Sequence, residues 1–166
     1  MSSSAKYTWK SAYSKSDESA DFWVFHVTEN EEPIVLCING IKTFFGLDTK
    51  YGKKKIKWTL SLSDGKAIRD FEEELYSSFM ESEYGKTISL HQLSSSIYSS
   101  SKYPPDFMTI VDSKASSGDI IRHTAGDIVQ WNSIKGVKCT IRVKVSQVTI
   151  SKDTMYIQFE VIEIYI

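Results

Sequence analysis

GVKCTIRVKVSQV, Gly136 to Val148, decides the fold, because it alternates almost without a break. Val137, Cys139, Ile141, Val143 and Val145 fall on one face of an extended chain, and Lys138, Thr140, Arg142 and Lys144 on the other, since strand side chains repeat every two residues. One face is apolar. The other carries three positive charges and no negative one, which raises the question of what it meets.

The same period recurs on both sides of this stretch. KIKWTLSLS, Lys55 to Ser63, sets Ile56, Trp58, Leu60 and Leu62 against Lys55, Lys57 and Thr59. IVLCINGIKTFF, Ile34 to Phe45, is a long strand interrupted at Asn39-Gly40, where a bulge or bend is expected. After a turn at SKDT, MYIQFEVIEIYI changes phase near Val161, which predicts a bulge there. DFWVFHV, KYPPDFMTIV, DIIRH and DIVQW add shorter extended segments. One helix is expected over Lys66 to Met80, capped by Ser63 or Asp64. Ile68, Phe71, Leu75, Tyr76 and Phe79 lie on its buried side, and Asp70, Glu72, Glu73, Glu74 and Glu81 on a solvated acidic face. The serine-rich Ser82 to Ser101 has no firm period and reads as a long, mobile loop. Sequential strands with one mid-chain helix predict a mainly β chain, a β-rich α+β protein built on an antiparallel, barrel-like sheet.

At 166 residues the chain is long enough for one domain with its own core. The expected division is a flexible arm over residues 1–20, carrying Tyr7, Trp9 and Tyr13, and a single domain over 21–166. With 41% apolar and 25% charged residues and a net charge of −1, the chain has no global attraction for polyanions, so any such site is local. Cys37 and Cys139 both fall at inward strand positions, which predicts buried free thiols and an intracellular setting. No signal-peptide pattern opens the sequence, and its apolar segments are too short to span a bilayer as helices.

Nothing in the spacing points to an enzyme or to a cofactor. His26, His91 and His123 are scattered without metal-ligand spacing, and no phosphate-cradling glycine loop or nucleophile elbow is present. The basic residues are more informative. Lys50, Lys53, Lys54, Lys55 and Lys57 crowd the entry to one strand, with Tyr51 among them. Lys138, Arg142 and Lys144, with Lys135 just before, form a second group on another. Were those strands neighbours, their outward faces would make a cationic groove. Of the aromatics, Trp58 shares its face with core residues, whereas Phe44, Tyr51, Tyr103 and Trp131 lie at strand ends or loops, where bases can stack.

KYPPDFMTIV, Lys102 to Val111, and GDIVQWNSIKGVKCTIRVKVSQVTI, Gly126 to Ile150, together resemble the oligonucleotide-binding-fold (OB-fold) single-stranded-DNA-binding proteins of large DNA viruses and phages. There too a short strand ends in an aromatic and leads through a glycine loop to a long curved strand with basic residues outside. The resemblance implies a partly open OB-like barrel binding single-stranded DNA, or RNA, without strong sequence preference, in DNA replication, recombination or repair. Homo-oligomers and replication proteins are the implied partners, and no membrane. The acidic helix, the near-zero charge and the apolar C-terminus depart from that pattern. The alternative expectation is a structural or assembly protein, such as a viral particle component, pairing through its β edges and N-terminal arm.

Overall fold

A computed structural model describes residues 6–16, 21–49, 54–112, 114–115, 117–122 and 130–166. In chain order the strands are β1 (Tyr7–Ser16), β2 (Asp21–Glu29), β3 (Glu32–Pro33), β4 (Val35–Ile41), β5 (Leu47–Asp48), β6 (Lys54–Thr59), β7 (Gln92–Ser94), β8 (Ile97–Tyr98), β9 (Asp106–Val111), β10 (Ile121–Arg122), β11 (Cys139–Ser151) and β12 (Thr154–Tyr165). One long helix, α1 (Leu62–Glu81), separates β6 from β7.

The alternation in Gly136–Val148 becomes β11, whose odd-numbered residues from Cys139 to Val145 are buried as expected. It pairs along its length with β12 through a two-residue turn in which Lys152 takes a left-handed φ of 59°. The phase change in β12 is a bulge: Arg142 faces Glu163 but Val143 faces Val161, so Ile162 is the extra residue. On its other edge β11 pairs with β4 over its first half and with β2 over its second. The Asn39-Gly40 interruption is also a bulge, since Ile141 faces Ile38 while Cys139 faces Ile41, and Gly40 supplies φ +68°.

These pairings give a mainly β protein whose strands form one mostly antiparallel sheet, ordered β1-β2-β11-β12-β9-β6-β5. Within it β4, β11, β12, β9 and β6 run in a ring, with β9 and β12 parallel. The ring's ends meet at a single bridge, Thr59 N donating to Lys42 O at 2.7 Å. Its interior holds Ile56, Trp58, Phe107, Ile141, Val143 and Phe159. Phe107 meets Phe159 edge-on at 5.1 Å, and Trp58 Nε1 donates to Thr109 Oγ1 at 3.0 Å, so even the indole N–H is satisfied. Burying each such ring contributes about 1.5–3 kcal/mol.

α1 starts earlier than its periodicity predicts, because Ser61 is the cap: its Oγ accepts from Asp64 N at 3.1 Å. Ile68, Leu75 and Phe79 are buried as expected. Several expectations fail. Leu62, expected inward on a strand, is exposed in the first turn of α1, and Val137, expected inward, is exposed just before β11. The stretch Tyr7–Ser16 is not a loose arm but an edge strand on β2, because Tyr7 and Trp9 bury their rings. Trp9 stacks edge-on to Phe79 at 5.2 Å and donates Nε1 to Ser78 Oγ at 3.0 Å. Cys37 points outward, since Ile34 and Ile38 set the inward phase of that strand; only Cys139 is buried, and burial pushes its thiol up to about 11. Glu72 is buried rather than solvated. And Ser82–Ser101 is not a free loop: Ile88, Leu90 and Ile97 enter the core while β7 pairs with β12 and β8 with β9. Among the described residues no helix is long and apolar enough to cross a membrane.

Candidate nucleic-acid interface

Register places the two basic groups on one sheet face without making them neighbours. Lys55 of β6 sits opposite Ile110 of β9, Ile110 beside Glu160 of β12, Glu160 opposite Lys144 of β11, and Lys144 opposite Val35 of β4. Residues side by side in a ladder share a face. Lys55 and Lys144 are therefore three strand spacings apart, roughly 14 Å, and a carboxylate stands between them.

That carboxylate answers the question posed by the cationic face of β11. Lys144 Nζ lies 3.3 Å from Glu160 Oε2, and Arg142 pairs with Glu163, which also accepts from the Tyr165 hydroxyl. The outward charges of β11 are answered by the adjacent strand. Lys138 is exposed just before β11, and Lys135 is bridged to Thr43 through the backbone.

Lys55 and Lys57 are in a different state. Both point outward from β6, and neither forms an ion pair among the described residues. Lys57 Nζ stands 6.0 Å from the centre of the Phe45 ring, at the limit of a cation–π contact. Lys54 belongs to the other face and donates Nζ to Ala115 O at 2.9 Å. Lys50, Tyr51 and Lys53 lie outside the described residues, as does His123.

The aromatic candidates divide likewise. Phe44 and Phe45, 56% and 73% exposed, follow the end of β4 where the chain turns through Gly46, whose φ of +69° favours glycine. Both rings are exposed, where strand alternation had implied one. Tyr103 is exposed before β9, with Lys102 Nζ 5.5 Å from its ring centre. Trp131 lies in a 3-10 turn, Trp131–Ile134, half-buried against the core.

Between Lys55 and the start of β12 lies a cleft of about 260 Å³, lined by Met108 and Ile110 of β9, Tyr156 and Gln158 of β12, and the segment Ser94–Ser96. Met108 and Tyr156 are exposed, so this part of the face is apolar, aromatic and flanked by an unpaired cation. Sequence reasoning missed these residues, although FMTIV alternates apolar side chains on both faces, which leaves Met108 and Ile110 outside. No protein-family model and no curated protein matches this chain.

Proposed function

We propose that this chain is a sequence-tolerant single-stranded-DNA-binding protein whose interface is the outer face of β6 and β9 together with the Phe44–Phe45 turn. The observation that carries the reading is the contrast in pairing: Lys55 and Lys57 form no ion pair among the described residues, although Asp48 of β5 stands opposite Lys55, and they lie beside exposed Phe45, Met108 and Tyr156, while Arg142 and Lys144 are paired with Glu163 and Glu160. Single-strand binders combine cations that follow the phosphates with flat rings on which bases stack. The five-stranded, partly open ring supports the OB-like form of the reading. β6 and β9 are its second and third strands in chain order, and in that fold the corresponding face and the loop joining the first two strands bind oligonucleotides. Relative to the sequence expectation, the interface moves from both basic strands to one.

The direct test is fluorescence anisotropy of a labelled dT oligomer of about 30 nucleotides, longer than the roughly 4–16 that one such barrel covers. Affinity should fall with salt at a log–log slope of about 0.7 per phosphate contacted. Absence of binding at low salt would refute the reading. Tryptophan quenching is the weaker probe, because Trp58 and Trp9 are buried.

The assembly-protein reading retains one supporting observation: β1 ends the sheet, and its outer edge pairs with no strand among the described residues. Large oligomers in solution without DNA would favour it.

A further inference from the structure

Among the described residues Glu72 is the only charged side chain that is buried. A carboxylate taken out of water is costly unless hydrogen-bonded, and Glu72 is bonded three times. Ser95 Oγ donates to Oε1 at 2.5 Å, Ser96 N to Oε2 at 2.8 Å and Ser96 Oγ to Oε2 at 3.0 Å. Burial raises its carboxyl above the ordinary value, and these donors pull it back in part. All three donors come from two consecutive residues, so the carboxylate fixes where that segment runs. From the opposite side Met108 N donates to Ser96 O at 3.2 Å. The segment is thus held between α1 and β9, with Ser94, Ser95 and Ser96 lining the cleft that contains Lys55, Met108 and Tyr156.

We propose that Glu72 is a positioning residue for the nucleic-acid face, holding Ser94–Ser96 from behind as the wall against which a strand lying over Met108 and Ile110 is bound. This rests on the reading of that face as a single-stranded-DNA interface. Glu72 touches no nucleic acid; it acts through Ser95 and Ser96, which with Ser94 border the cleft.

The test compares Glu72→Gln and Glu72→Leu with the parent chain, measuring dT-oligomer affinity with its salt slope and hydrogen exchange at the Ser96 amide. Gln keeps an acceptor for Ser96 and an amide for Ser95, so parent-like exchange and affinity are expected. Leu keeps the helix and fills the space but offers no acceptor. It should expose the Ser96 amide and weaken binding about tenfold, the equivalent of one or two lost hydrogen bonds, with the slope unchanged because no phosphate contact is removed. Free exchange at Ser96 with parent affinity would overturn the proposal and make Glu72 an anchor of the fold only. Where the Leu variant does not fold, Ser95→Ala decides: binding about threefold weaker at an unchanged melting temperature supports the proposal, and unchanged affinity overturns it. No binding by the parent chain overturns both the proposal and the reading beneath it.

Discussion

β6 and β11 carry similar charge on the same sheet face and differ in what stands opposite. β6 lies between β9, which presents Met108 and Ile110 to Lys57 and Lys55, and β5, which sets Asp48 opposite Lys55 without an ion pair between them; β11 lies between β4 and β12, and β12 presents Glu163 and Glu160, with which Arg142 and Lys144 do pair. A basic residue that forms no ion pair keeps its charge for an external anion. One that is ion-paired spends it within the fold, in a pair worth about 0–1 kcal/mol when solvent-exposed. The sign of a strand's own residues therefore does not locate a polyanion site; the ion pairs those residues make narrow it.

The comparison can be broken most decisively by charge reversal. Lys55→Glu with Lys57→Glu should weaken dT-oligomer binding by about a hundredfold or more, two phosphate contacts becoming repulsions, with little change in melting temperature. Arg142→Glu with Lys144→Glu should change affinity by less than about threefold. Anisotropy titrations of the two pairs at one salt concentration check both. Phe45→Ala should cost about 1–3 kcal/mol of binding, one stacked base, whereas Trp131→Phe should leave affinity unaltered. Glu160→Gln with Glu163→Gln sharpens the comparison from the other side. It frees Arg142 and Lys144, so the salt slope should rise by about 0.7 for each phosphate newly engaged.

The smallest effect concerns the third kind of carboxylate, buried Glu72. Its pKa is raised from 4.5 in the folded state, so it contributes stability that is present below 4.5 and lost as pH rises through the raised value. Arg69, Glu73 and His91 line the neighbouring cleft and share its field. The unfolding free energy from urea titrations across that interval should fall for the parent chain relative to Glu72→Gln, by less than about 1.4 kcal/mol per unit of pKa displacement.

Much of this was legible from alternation. The bulges at Asn39-Gly40 and near Val161, the long hairpin, the helix and the burial of Trp58 follow from residue types and period. The pairing of Arg142 with Glu163 was legible too: a two-residue turn at Lys152-Asp153 sets Ser151 against Thr154, and counting back from there reaches it. Lys144 was not, because the same count would set it against Val161; the register first shifts near Ser146 and is restored only at Ile162, which brings Glu160 opposite. The edge strand Tyr7–Ser16 was hidden because its polar outward residues dilute the two rings that hold it. The wall at Ser94–Ser96 was hidden because its fixed course depends on Glu72, more than twenty residues earlier, and a buried carboxylate on a helix looks in sequence like a solvated one.

Lysine footprinting tests the central claim most directly: amine acylation is quantified by mass spectrometry with and without a saturating dT oligomer. The account predicts that Lys55 and Lys57 become protected while Lys144 reacts as before. Protection of Lys144 with Lys55 and Lys57 unchanged would contradict it and return the interface to β11.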